Sequence, residues 1–121
     1  MVDTTALEPE AIFSAVSAQP PLRRDEARAS YVGREVDWTL VYIDGWEQSR
    51  GRARLAFKQE RSIARCVFAS VPLTDCPWLK HLHAGEIMRV RGRIAELNQL
   101  TITLRGASVS QVIAEVAEVV Y

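Results

Sequence analysis

The chain has 121 residues, enough for one domain with a single core and too few for two. Its 48% hydrophobic and 25% charged residues are the balance of a globular protein, which excludes a disordered chain. Fifteen basic residues cancel fifteen acidic ones, and no apolar run approaches the roughly 20 residues that carry a helix across a bilayer, so no membrane partner is expected.

Residues 1–7 read as a tail without the basic start or apolar run of a secretory signal, and a cytoplasmic location is expected. In EPEAIFSAVSAQPP, Ile12, Phe13 and Val16 recur at helical spacing, with Pro9 in the first turn and Pro20-Pro21 as the stop. LRRDEARASY predicts a second short helix whose Arg24, Asp25, Glu26 and Arg28 pair along a solvated face. With little to bury, it lies over the surface as a strap.

From Tyr31 the hydrophobic period becomes two. Val36, Trp38, Leu40 and Tyr42 share one face of a first strand that is expected to end at the turn dipeptide Asp44-Gly45. Ala53, Leu55 and Phe57 alternate with Arg52, Arg54 and Lys58 in a second strand. SIARCVFASV predicts a third, with Ala64, Cys66 and Phe68 on one parity, taken as the core side, and Ile63, Arg65 and Val67 on the other. A connection with a short helix near Pro77–Leu82 stops at Gly85. In the fourth strand Met88, Val90, Gly92 and Ile94 oppose Arg89, Arg91 and Arg93, and Gly92 marks a bend. After a turn at Asn98-Gln99, Leu100, Ile102 and Leu104 face inward from the fifth.

Three strands, a helical connection and a strand hairpin predict a mainly β fold: a five-stranded Greek-key barrel of the OB type, with an N-terminal helical strap. Residues 1–30 are assigned to the tail and helical lead-in packed on the barrel, 31–109 to the barrel and 110–121 to a C-terminal helix or tail, all in one domain. The last segment is read as a helix from the spacing of Val112, Ile113, Val116, Val119 and Val120, although β-branched residues weaken that pattern and an extended tail competes with it.

YVGREVDW (31–38), LKHLHAGEIMRVRGRI (79–94) and LTITLRGASV (100–109) together resemble the small bacterial OB-fold domains grouped as tRNA-anticodon-binding-like. Those share a Tyr-x-Gly opening, a Val-x-Trp first strand, a glycine-containing fourth strand and an Ile-x-Leu last strand. IFSAVSAQPPLRRDEARASY is similar to the helical lead-in of some of them, so the likeness spans about residues 10 to 109. Glu86 stands where aspartate is commoner. The resemblance implies a fold and brings no catalytic motif, since OB barrels serve nucleic acids, oligosaccharides and proteins alike.

Cys66, Cys76, His81 and His83 are zinc-ligand types, but no Cys-x2-Cys pair supports a site; neither a metal nor another cofactor is expected. With no phosphate-cradling loop, nucleophile elbow or metalloprotease motif, the chain is expected to be a non-catalytic binding module. Two uses stay open. One is protein or peptide recognition or self-association, including a homodimer, through the stripe Val112, Ile113, Val116, Val119 and Val120 or through an open barrel edge. The other is binding of single-stranded DNA or RNA. Residues 50–105 carry eleven basic and four acidic groups, and Arg52, Arg54, Lys58, Arg65, Arg89, Arg91 and Arg93 all have outward parity. Trp46 and Trp78 are the rings expected to be free to stack, while Glu35, Asp37, Glu60 and Glu96 are available to neutralise the arginines.

Overall fold

A computed structural model describes residues 8–48, 51–62 and 65–112. Helix α1 (Pro9–Ser17) is followed by a 3₁₀ turn (Pro21–Arg23) and helix α2 (Arg24–Tyr31). Five strands complete the fold: β1 (Glu35–Gln48), β2 (Arg52–Lys58), β3 (Cys66–Pro72), β4 (Ile87–Leu97) and β5 (Thr101–Gln111), with a second 3₁₀ turn at Pro77–His81. The sheet closes on itself in the order β1-β2-β3-β5-β4, and β4 pairs back with β1. Every pairing is antiparallel except β3 with β5, where Cys66–Ala69 lie alongside Thr101–Leu104. Among the described residues, closure leaves no full-length free edge of the kind on which strand addition by a partner was expected.

The lumen is filled as alternation predicts on four strands. Val36, Trp38, Leu40 and Tyr42 enter from β1, Leu55 and Phe57 from β2, Met88, Val90 and Ile94 from β4, and Ile102 and Leu104 from β5, all buried. Burying side chains of this size contributes about 1.5–3 kcal/mol each. Ile12 and Phe13 of α1 and Leu79 of the second 3₁₀ turn join the same core, so the helix and the turn close opposite ends. α1 is tied to the strand loops by Glu10, whose backbone N–H donates to Gln59 Oε1 and whose carboxylate receives Ser62 Oγ and Arg65 Nη1. α2 buries no residue, and Arg24 at its start donates to the Ser17 and Gln19 carbonyls at the end of α1. No helix among the described residues is long and apolar enough to cross a membrane.

Four expectations are corrected. β1 does not turn at Asp44-Gly45 but runs through it to Gln48, with a bulge between Tyr42 and Asp44. Gly45 is needed there for space, because a Cβ would collide with the Tyr42 hydroxyl and come within 3.1 Å of Leu55. On β3 the parity is reversed: Val67, Ala69 and Val71 are buried, while Cys66 and Phe68 are only partly so. Ala69 lies opposite Leu55 and Val67 opposite Phe57, so small groups face large ones and no room remains inside for a second phenylalanine on this strand. Leu100 is 52% exposed because it sits in the turn before β5 rather than in the strand. At the other end β5 continues through Ser110 and Gln111, which were assigned to a C-terminal helix or tail outside the barrel, and Val112 donates its N–H to Ile87 O. Val112 is half-buried. Ile63, Ala64, Ile113, Val116, Val119 and Val120 lie outside the described residues.

The expected bend at Gly92 coincides with a register shift between Arg91 and Arg93, where a Cβ would meet Arg105 O at 3.1 Å. The Asn98-Gln99 turn is held by Asn98 Oδ1, which accepts from the backbone N–H groups of Leu100 and Thr101.

Gly45→Ala is expected to cost about 1–3 kcal/mol in denaturant unfolding, because the added methyl forces the Tyr42 ring, packed 5.9 Å from Phe57, to shift. Adding Tyr42→Phe, which removes the colliding oxygen, is expected to restore most of that loss.

Candidate functional site

The extra residue in β1 determines which way its second half faces. Tyr42 is opposite Phe57 and Asp44 opposite Ala56, so Ile43 has no partner and the parity inverts beyond it. Gly45 then looks inward against Leu55, and Trp46, on the inward parity of the first half of the strand, looks outward opposite Arg54. Trp46 is 45% exposed.

On that outer face the Phe68 ring meets Trp46 edge-on at 6.3 Å between centroids, and the Arg54 guanidinium lies 4.7 Å from the Phe68 centroid. A cation over a surface ring is worth about 0.5–1 kcal/mol, a modest bias toward this arrangement. Next to them Arg52 donates from Nη2 to Ser70 O at 3.1 Å, and Ser70 Oγ donates to Gln48 Oε1 at 3.0 Å. Three neighbouring strands thus present two rings, two guanidiniums and two polar side chains on one surface. Neither Arg52 nor Arg54 has an ion pair among the described residues.

The remaining basic residues divide differently. Asp37 receives Arg89 through Nε at 2.9 Å and Nη2 at 2.6 Å, and also Arg91 Nε at 3.1 Å. The Arg89 hydrogen bonds are the main reason the Asp37 carboxyl is held below its ordinary value, with partial burial opposing them and Arg91 adding to them. Asp37 in turn raises the Arg89 guanidinium. Arg93 pairs with Glu35 at 2.8 Å, and Arg65 pairs with Glu10 at 3.0 Å while its guanidinium lies 5.2 Å from the Phe13 ring. Lys58 is half-buried at the far end of β2, opposite Val41. The seven basic residues therefore do not form one face.

Trp78, expected to be free to stack, is half-buried and packed against the core. Phe68, Gln48 and Ser70 were not among the expected site residues. Beside Trp46, a cavity of about 350 Å³ is lined by Tyr42, Leu55, Leu79 and Leu82, and Lys80 and Glu47 pair at 3.9 Å along it. Burial, helped by Asp44, pushes the Tyr42 hydroxyl up, so it stays protonated as a neutral polar group in that wall. No group of three or more metal-ligating side chains is assembled among the described residues. Cys76 is half-buried, and burial together with Asp75 pushes its thiol up, away from thiolate chemistry.

A solved structure similar in fold is that of a lipoprotein from Klebsiella pneumoniae subsp. pneumoniae MGH 78578, provisionally described as nucleic acid-binding. It matches with a TM-score of 0.61 over 84% of this chain and 87% of that one, at 14% sequence identity. That likeness is one of fold. No family model matches the chain and no curated protein matches it, so the tRNA-anticodon-binding-like resemblance rests on its quoted segments.

Because the Asp37 carboxyl is depressed in the folded state, its pairing stabilises the fold above the ordinary aspartate value of 3.8 and is lost as pH falls below it. Asp37→Asn is expected to lower stability at neutral pH and to match the native protein in strong acid. Urea unfolding across that pH range measures the convergence.

Proposed function

We propose that this chain is a non-catalytic binding module of the OB type, and that the outer face of β1, β2 and β3 binds single-stranded nucleic acid. The strand order β1-β2-β3-β5-β4, closed through β1 and β4, supports the OB assignment. The carrying observation for the ligand is the surface pair of exposed Trp46 and half-buried Phe68 bracketed by Arg54 and Arg52, two guanidiniums that no carboxylate among the described residues neutralises. Rings give bases a surface to stack on, and unpaired guanidiniums attract the phosphates between them. In OB barrels, oligonucleotides lie against the second and third strands, where Arg54, Phe68 and Ser70 stand. The cavity beside Trp46 has the dimensions to receive a base turned out of the stack, and its lining mixes leucines with the polar Tyr42, Glu47 and Lys80.

The β4 arginines are a poorer choice. Asp37 and Glu35 stand among them and repel a phosphate, and neither Arg89 nor Arg91 has a ring contact among the described residues. Protein recognition and self-association have less to rest on, because the barrel closes through β1 and β4 and leaves no full-length edge among the described residues.

Fluorescence anisotropy with a labelled single-stranded oligonucleotide tests the proposal. Trp46→Ala and Phe68→Ala are each expected to weaken binding roughly 5- to 150-fold, the equivalent of about 1–3 kcal/mol per stacked base. Arg52→Ala and Arg54→Ala are expected to reduce the salt slope by about 0.7 for each phosphate that is no longer neutralised. Arg89→Ala with Arg91→Ala leaves both quantities nearly unchanged. Absence of saturable, salt-sensitive binding to any single strand overturns the proposal.

A further inference from the structure

A second concavity, of about 230 Å³, lies away from the Trp46 face, at the seam between the helices and the β4–β5 turn. Arg24, Arg28 and Arg65 line it together with the amide of Asn98 and the apolar Phe13 and Leu100; no carboxylate among the described residues does. Each guanidinium is anchored by another group. Arg24 uses Nε and Nη2 on the Gln19 and Ser17 carbonyls, both at 3.1 Å. Arg28 uses Nη1 on Asp25 at 2.8 Å, and Arg65 uses Nη1 on Glu10 at 3.0 Å. A guanidinium has five N–H donors, so each retains most of them after anchoring.

Arg28 is the most telling of the three. Its side chain is only 17% exposed, and its Nε is buried with no acceptor among the described residues. The buried Nε is closed to solvent, so a ligand in the concavity meets Arg28 through its remaining Nη hydrogens.

We propose that this seam is a binding site for the phosphate group of a small phosphate ester. Guanidinium forks match tetrahedral oxyanions with parallel hydrogen bonds, and anchored forks lose little freedom on binding. Three guanidiniums against the carboxylates of Asp25 and Glu10 leave one net positive charge for the ligand. The volume falls below the roughly 300 Å³ at which drug-sized pockets begin, so the ester is small, and Phe13 and Leu100 offer its organic part an apolar wall. The site is independent of the strand-binding proposal. Arg65 precedes β3 and Phe68 lies three residues on, on the order of 10 Å away along the chain.

The test is NMR of the arginine Nε–Hε signals in the full chain, titrated with inorganic phosphate against chloride at matched ionic strength. A saturable shift of the Arg28 signal is expected. A nucleoside 5′-monophosphate is expected to reproduce it, and the corresponding nucleoside is not. Arg28→Gln and Arg65→Gln are each expected to weaken phosphate binding by about tenfold or more, the size of one lost charge-assisted hydrogen bond. Trp46→Ala with Phe68→Ala leaves phosphate binding unchanged, which separates failure of this site from failure of the strand-binding face. A single strand that displaces phosphate from Arg28 identifies a nucleic-acid backbone as the source; one that does not identifies a free ester. No saturable response at Arg28 in the native protein, or undiminished phosphate binding by Arg28→Gln, overturns the inference.

Discussion

In a closed barrel a side chain goes either to the lumen or to the outside, and the whole structure depends on how each strand divides its residues between the two. The lumen accepts hydrocarbon at close packing and little else, so the division is strict wherever a strand carries one apolar and one polar face. Trp38, Phe57, Met88 and Ile94 occupy the interior for that reason. The surface, and with it any binding, is what remains after the interior has been filled. The unpaired Ile43 is the one place where β1 changes its allocation, and it transfers Trp46 from the inner parity to the outer.

The same constraint explains what could be read from the residues and what could not. On β2 and β4 arginines alternate with apolar groups, so the inward set is unambiguous. On β3, CVFASV offers an apolar residue on both parities, and alternation alone cannot choose between Phe68 and Val67. The choice is made by volume, through the sizes of Leu55 and Phe57 across the pairing. Asp44-Gly45 looks like a hairpin turn because that dipeptide usually makes one. Here the glycine is used for its missing side chain, beneath the Tyr42 hydroxyl, and that need is set by a residue on the opposite parity. The aromatic surface was hidden because it depends on both effects together.

Charge was legible as composition and not as arrangement. Asp37 is separated from Arg89 and Arg91 by more than fifty residues, and only the β1–β4 register brings them together. Pairs of this kind in water are individually weak, yet they decide which guanidiniums remain available. The basic residues of β4 lie among the β1 carboxylates Asp37 and Glu35, while those of β2 lie beside a ring and a hydroxyl. A count of arginines gives both strands equal weight; the pairing does not.

Helix α1 has a bearing on how the protein can be handled in the laboratory. Ile12 and Phe13 form the floor of the lumen, and Glu10 fastens that floor to Ser62 and Arg65. Trimming the chain to its strands alone would leave the barrel bottomless, with water reaching Phe57 and its neighbours and sticky hydrocarbon exposed to other molecules. The shortest fragment worth expressing therefore starts ahead of Pro9, and any solubility or affinity tag belongs upstream of the helix.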